Sequence, residues 1–225
     1  QATLLWFGLG TFGLVAGLAI ASAATAVFSA QIAGVRPTLP TRSIMRSISE
    51  YARWSVPNGL LNKLYSSLDI LVITAAAGSS AAGLYAVARQ LTQPATFLSS
   101  SISGALSVKT SGRHSAGQGI VQDLLNSVSY SGLIAIPLFF GALAMPQAIP
   151  QTVFGGEFAA AGGAVVGMAI FQVWNVYASQ FESVFTGIDR PGIVFRINAG
   201  ITTVHLPLAV GLGYLYGLLG VVTAT

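Results

Sequence analysis

Residues 54–108 decide the fold, and they read WSVPNGLLNKLYSSLDILVITAAAGSSAAGLYAVARQLTQPATFLSSSISGALSV. Two apolar runs are joined here by the short turn Gly78-Ser79-Ser80. Asp69 lies ten residues before Ser79, and Arg89 lies ten residues after it. At about 1.5 Å of rise per helical residue, both side chains are predicted about 15 Å below the turn, near the middle of a bilayer. Charge is costly at that depth, so we expect a role for this pair.

The composition is typical of a membrane protein. Hydrophobic residues make up 53% of the 225 residues and charged residues only 7%, whereas a soluble domain is about a quarter charged. Long uncharged runs, rather than short alternating ones, predict an all-α integral membrane protein and not a β-barrel. The net charge of +4 lies in loops between apolar runs, so it is a topology signal and predicts no nucleic-acid partner. Cysteine is absent, so no Cys-based metal site is inferred.

Six transmembrane helices are predicted. They cover about residues 4–32, 55–77, 81–108, 124–145, 158–185 and 193–222. Pro137 is expected to kink the fourth helix, and Pro207 interrupts the sixth. Before the second helix, residues 43–54 alternate charged and apolar positions, which predicts an amphipathic helix in the membrane interface. After the third helix, residues 109–119 are predicted to be a loop.

The Lys and Arg residues predict the orientation. Eight of the ten fall in or beside the first, third and fifth loops: Arg36, Arg42, Arg46, Arg53, Lys109, Arg113, Arg190 and Arg196. The second and fourth loops have none. Because positively charged loops stay in the cytoplasm, the odd loops are predicted to be cytoplasmic and residue 1 to lie outside. The expected location is therefore the cell membrane, which the chain crosses several times.

Five stretches of sequence follow one another in a familiar order and spacing. They are Tyr51–Pro57 leading into Leu68–Val72, Ala82–Leu91, Phe154–Phe158, Gly187–Pro191 and Gly217–Ala224. Together they resemble the C-terminal lobe of polysaccharide (lipid-linked oligosaccharide) flippases of the MATE-like superfamily. The resemblance implies part of a two-lobe transporter. Residues 1–34 would be the last helix of the N-terminal lobe, 35–54 a cytoplasmic basic loop with the interfacial helix, and 55–225 a truncated C-terminal lobe with five transmembrane helices.

The resemblance also implies a function. The protein would move a lipid-linked oligosaccharide, the repeat unit of a polysaccharide, across the cytoplasmic membrane by alternating access. Its partners would be the pyrophosphate-linked oligosaccharide, membrane lipids and polysaccharide-assembly proteins, with no cofactor. Two alternatives stay open: an ion-coupled multidrug antiporter, which would use acids such as Asp69 and Glu182, and a non-transporting membrane scaffold, which needs no buried charge. Two cations at membrane depth, Lys63 and Arg89, favour the flippase.

Polar side chains inside the predicted helices are the candidates for substrate binding. They are Arg89, Lys63, Asp69, Asn62, Asn175 and His205. Arg89 suits a phosphate because its planar guanidinium donates to two oxygens at once. Asp69 and Arg89 can equally be a static ion pair, and Lys63 can snorkel to the interface.

Other polar residues have structural explanations. His205 and Gln172 are predicted at a similar depth, where a hydrogen bond between helices would explain both. Glu182 and Arg196 are predicted to form an interfacial pair near the cytoplasm.

The sequence predicts no enzyme. His114 and His205 have no suitably spaced partners for a metal site. No Gly-rich loop has the spacing of a Walker motif, and no Ser–His–acid set lies at one membrane face.

Overall fold

The computed structural model describes residues 10–33 and 40–225, which are helical with short connections. The chain divides into two compact units, residues 1–46 and 47–225. The first unit contains helix α1, Gly10–Ala33. The predicted start of the first helix at Leu4, and most of the basic loop that follows it, lie outside the described residues.

The helices after α1 are α2 (Arg42–Thr92), α3 (Pro94–Ser115), α4 (Val121–Ala144), the short α5 (Ala148–Phe154), the 3₁₀ helix η1 (Gly156–Ala161), α6 (Gly162–Gly187) and α7 (Pro191–Ala224). Four stretches in the described part of the chain are long and apolar enough to cross a membrane. They are Arg42–Thr92, Val121–Ala144, Gly156–Gly187 and Pro191–Ala224. The prediction of an all-helical integral membrane protein is therefore confirmed.

Helix α2 folds back on itself at Gly78, where φ is 85° and ψ is 173°. A conformation with such a φ is open essentially to glycine alone. The hydroxyl of Tyr85 donates a hydrogen bond of 2.8 Å to Asp69 although 16 residues separate them. A straight helix would hold these residues about 24 Å apart, so the two halves of α2 must lie side by side. The break predicted at Gly78 is confirmed.

Helix α7 reverses in the same way at Gly217, with φ of 62° and ψ of −135°. His205 Nδ1 lies 3.0 Å from the carbonyl oxygen of Ala224, 19 residues further along the chain. Those residues would be about 28 Å apart in a straight helix. The prediction of a sixth helix over residues 193–222 that is interrupted at Pro207 was therefore wrong, because the break lies at Gly217. Pro207 lies inside helical structure, and the chain turns ten residues later.

The boundaries of the predicted interfacial and third helices also change. Residues 43–54 form no separate helix, because α2 runs from Arg42 to the break at Gly78. The predicted third helix is divided at Gln93, and Pro94 begins α3. Proline is well suited to a first helical position because it has no N–H that would need an intrahelical partner.

The predicted loop at 109–119 is largely helical, since α3 continues to Ser115. Lys109 Nζ lies 2.7 Å from one carboxylate oxygen of Asp123, and Arg113 Nε lies 2.9 Å from the other. Asp123 is in the first turn of α4. The two ion pairs therefore join the end of α3 to the start of α4, and positive charge at the end of α3 suits the helix dipole.

Helix α6 packs against α3, α4 and α7. The largest buried cluster joins α2, α4, α6, η1 and α7, and many of its members are alanines: Ala88, Ala142, Ala161, Ala164, Ala169 and Ala209. Small residues allow helices in a membrane to approach closely. Large apolar side chains such as Leu71, Leu133 and Leu215 are exposed on the outside, as expected where lipid covers the surface.

Candidate functional site: a polar cavity among the helices

A cavity of about 370 Å³ opens among the helices of the second unit. Both halves of α2 line it, together with α3, α6 and α7. Its lining residues include five carboxamide side chains, four aromatic rings, two carboxylates and one guanidinium. Polar groups are expensive at membrane depth and are normally placed facing a cavity or one another. This cavity is therefore the candidate functional site.

The spacing of the polar residues on α2 explains why they meet. Asn62, Tyr65 and Asp69 follow one another at intervals of three and four residues in the first half. Tyr85 and Arg89 are four residues apart in the second half, and Gln93 follows at the next interval of four. Residues at such intervals share one face of a helix. Each half of α2 thus turns a polar stripe towards the cavity.

Helices α6 and α7 complete the wall by the same rule. Gln172, Asn175 and Glu182 line the cavity from α6, at intervals of three and seven residues. Asn198 and Thr202, four residues apart, line it from α7. The Asn175 amide donates to Gln172 Oε1 over 3.4 Å, so these carboxamides form a neighbouring pair.

Asp69 is the centre of a buried hydrogen-bond chain at one side of the cavity. Its Oδ2 accepts from the Tyr85 hydroxyl at 2.8 Å, and its Oδ1 lies 2.9 Å from His205 Nε2. The exposed fractions of Asp69, Tyr85 and His205 are 3%, 2% and 5%. We call this chain, with the Ala224 carbonyl, the Asp69 cluster.

The partners of His205 fix its protons. The carbonyl oxygen of Ala224 can only accept, so Nδ1 must carry a hydrogen and donate to it. One further proton lies between Nε2 and Asp69 Oδ1. Whether it sits on the imidazole or on the carboxyl group, the pair has no net charge and all its hydrogen bonds are made. Tyr65 also packs against the His205 ring, with the centroids 4.6 Å apart.

The Asp69 cluster joins the two reversed helices. Asp69 and Tyr85 come from opposite halves of α2, and His205 and Ala224 from opposite halves of α7. Within residues 10–33 and 40–225, no three acidic or histidine side chains are grouped so that they could hold a metal ion. The cluster is therefore a link between four helix segments, in which the partners of Asp69 are the Tyr85 and His205 side chains.

Four of the six predicted site residues meet in the cavity: Arg89, Asp69, Asn62 and Asn175. His205 does not line the cavity, but its Nε2 contacts Asp69 Oδ1. Its partners are Asp69 and Ala224, so the hydrogen bond to Gln172 suggested by their similar depth was the wrong pairing. Lys63 lies outside the lining and is exposed, because it is about 100° around the helix from Asn62.

Other features were not foreseen from the sequence. One oxygen of Asp69 is bonded to Tyr85 and the other to His205, and neither of these partners was predicted for it. Tyr65, Tyr85 and Gln93 were not among the candidates, although each lies four residues from Asp69 or Arg89 and therefore on the same helix face.

Glu182 and Arg196 form no ion pair in the described part of the chain. Glu182 faces the cavity, whereas the Arg196 guanidinium stands 5.6 Å from the centre of the Trp54 ring. The Arg53 guanidinium stands 5.5 Å from the same ring. Both distances fit a cation–π contact, and both arginines are exposed.

A second polar cluster joins α3 to α6 and lies away from the cavity lining. The Gln180 amide nitrogen is 3.0 Å from the Ser99 hydroxyl and 2.8 Å from that of Ser103. Ser99 also bonds the Val176 carbonyl oxygen at 3.2 Å. Hydrogen bonds of this kind stabilise helix contacts in membranes, so we assign this cluster a structural role.

Comparison with known proteins places these features in a family. A family of polysaccharide biosynthesis proteins matches residues 2–162. The chain is 24% identical over 230 residues to AglR of Haloferax volcanii, named a probable flippase, with the whole chain aligned to 48% of that protein. It is 26% identical over 188 residues to Agl15 of the same organism, named a probable low-salt glycan biosynthesis flippase, covering 83% of this chain and 40% of Agl15.

A bacterial relative is more distant. The teichuronic acid biosynthesis protein TuaB of Bacillus subtilis is 21% identical over 162 residues, which are 72% of this chain and 34% of TuaB. The chain thus spans about half the length, or less, of these relatives. No solved structure matches it.

Proposed function

Because this chain belongs to the polysaccharide biosynthesis protein family, we propose that it is the part of a membrane flippase that binds a lipid-linked oligosaccharide during its transfer across the cytoplasmic membrane. The observation that carries the proposal is a polar cavity, with Arg89 in its wall, inside a bundle of apolar helices. In such a cavity the hydrophilic part of a substrate can cross the membrane without contacting the lipid chains.

Arg89 is assigned to the phosphate or pyrophosphate that joins lipid to sugar. Its guanidinium remains charged when water is removed, and it can donate to two phosphate oxygens together. A half-buried cation facing a cavity gains most from a ligand that brings negative charge. Asp69 and Asn62 lie on the facing half of α2, where they would border the same ligand.

The proposed transporter has further parts outside this chain. The first half of α2 would cross the membrane once, and its second half would cross together with α3. With α1, α4, α6 and the first half of α7, this retains the predicted count of six crossings. Since the relatives are about twice as long as this chain, the remaining sequence would form the opposite lobe and the other wall of the cavity. Alternating access would then consist of movement between the two lobes, with the substrate released to either side.

One observation supports a second candidate function. Two carboxylates, Asp69 and Glu182, line the cavity, and an ion-coupled multidrug antiporter would use such groups to bind a cationic drug. The flippase is favoured because His205 is already the partner of Asp69 and because AglR and Agl15 are named probable flippases.

The test uses the full-length protein in vesicles that contain a polyprenyl-pyrophosphate-linked oligosaccharide. Arg89→Ala should slow its transfer by roughly 10- to 150-fold, because a hydrogen bond to a charged group contributes about 1.5–3 kcal/mol. Arg89→Lys should retain part of the rate. Lys63→Ala is the matched control, since Lys63 is a cation of the same helix outside the cavity.

Two results would contradict the proposal. One is an unchanged rate in Arg89→Ala at equal amounts of folded protein. The other is a wild-type protein that moves a cationic drug but not the lipid-linked oligosaccharide, which would favour the antiporter.

A further inference from the structure

The polar groups of the cavity exceed what a phosphate needs. Phosphate oxygens only accept hydrogen bonds, so donors such as Arg89 satisfy them. Five carboxamides also line the cavity, and each of them both donates and accepts. The hydroxyl groups of a sugar have the same dual character. The carboxamides therefore indicate a second part of the site, which faces hydroxyl-bearing rings and not phosphate.

Helix α6 carries the groups that fit a sugar ring. Asn175 and Gln172 are hydrogen-bonded to each other, which holds both amides in place at the wall. Trp174 lies between them in sequence and also lines the cavity, with 72% of its side chain exposed. An exposed indole offers a flat apolar face, on which the C–H face of a sugar can stack while its hydroxyls reach the amides.

Glu182 sets the charge of this wall. It lies seven residues after Asn175, on the same face of α6, at the end that leads to the turn before α7. Its carboxyl group is hydrogen-bonded by the Asn198 side chain, and Arg196, its predicted partner, packs on Trp54 instead. The other lining carboxylate, Asp69, already has His205. Glu182 is thus the acid that a ligand in the cavity would meet.

We propose that the α6 side of the cavity, formed by Gln172, Trp174, Asn175 and Glu182, recognises sugar rings and that Glu182 excludes acidic ones. The sugar bound beside Glu182 is then neutral or carries an amino group, and it is not a uronic acid. This inference rests on the proposed flippase function. A uronic acid would bring a second carboxylate next to Glu182 in a poorly hydrated cavity, where like charges repel strongly. Neutral hydroxyls can donate to Glu182, and an ammonium group can pair with it.

The experiment compares two probes in vesicles that contain the full-length protein. Both are polyprenyl-pyrophosphate disaccharides, and they differ only in whether the terminal sugar is glucose or glucuronic acid. The wild-type protein should move the glucose probe at least tenfold faster. Glu182→Gln keeps the shape of the side chain and removes its charge. It should raise the ratio of the glucuronate rate to the glucose rate at least fivefold.

Two further variants make the result specific. Glu157→Gln is the matched control, because Glu157 is exposed in η1 and does not line the cavity. It should leave both rates unchanged. Glu182→Ser also removes the charge and serves if the glutamine variant folds poorly. It should raise the ratio of the glucuronate rate to the glucose rate in the same way.

The outcomes separate the inference from the proposed function. Equal wild-type rates for the two probes, or a ratio of glucuronate to glucose rates that neither Glu182 variant raises, would overturn the inference and leave the flippase standing. Transfer of neither probe by the wild-type protein would overturn both.

Discussion

The Asp69 cluster gives a prediction whose size follows from its hydrogen bonds. Asp69→Asn can keep every contact: the amide oxygen accepts from the Tyr85 hydroxyl, and the amide nitrogen donates to Nε2 of a neutral His205. The Nδ1 hydrogen remains on the Ala224 carbonyl. No charge is left without a partner. We therefore expect this variant to lose less than about 1 kcal/mol of unfolding free energy.

Asp69→Leu removes the same charge but also removes the hydrogen-bond partner of Tyr85 and His205. The Tyr85 hydroxyl and His205 Nε2 each lose a partner in a site with almost no exposure. A buried polar group without a partner costs about 1–3 kcal/mol, so the two together should cost about 2–6 kcal/mol. His205→Leu should cost about 3–5 kcal/mol, because it leaves a buried acid with one partner removed.

The measurement is the unfolding of full-length protein in detergent by heat or denaturant. The single variants and the double variant Asp69→Leu/His205→Leu form a thermodynamic cycle, which should show a coupling of about 2 kcal/mol or more between the two side chains. Equal stabilities of Asp69→Asn and Asp69→Leu would refute the hydrogen-bond chain as the link between α2 and α7. A coupling near zero would do the same.

Two other predictions concern the backbone and the topology. Gly217→Ala should destabilise the protein by about 1–3 kcal/mol, because the positive φ there disfavours a side chain; Gly211→Ala, in the open helical part of α7, is the control and should cost nothing in the same unfolding assay. Equal stabilities of the two variants would contradict this reading. A cysteine introduced at Ser111 should react only with reagents on the cytoplasmic side, and one at Gln151 only with reagents outside. Labelling of both from one side would disprove the predicted orientation.

The sequence predicts features that depend on local chemistry. The break at Gly78 follows from a small polar turn between two apolar runs of membrane-spanning length, and the structure reverses there. Polar residues in an apolar helix at membrane depth have to face a cavity or one another, so Asn62, Asp69 and Arg89 could be assigned to one site. Both conclusions need only the rise per residue of a helix and the free-energy cost of placing a polar group in lipid.

Features that depend on long-range packing were missed. Gly217 sits in an apolar run of a chain with 26 glycines, and nothing local distinguishes it from a glycine inside a helix. The partners of Asp69 could not be ranked from depth alone, because Arg89 and His205 both lie at membrane depth. The structure bonds His205 to Asp69, and the reversal at Gly217 brings the end of α7 back beside His205, where the Ala224 carbonyl oxygen is its second partner.

The bonding of Asp69 also determines how Arg89 has to be tested. Replacing both Asp69 and Arg89 by leucine could show whether the two residues form a static ion pair or whether Arg89 binds substrate. That test works only if Asp69 and Arg89 are each other's main partners. Since Asp69 bonds Tyr85 and His205, its replacement by leucine disturbs the joint of four helix segments whatever Arg89 does. Loss of transport in that double variant would follow from either role. Asp69→Asn, which keeps the joint, is therefore the proper background: if Arg89→Ala abolishes transfer there while the protein stays folded, Arg89 acts on the substrate and not through Asp69.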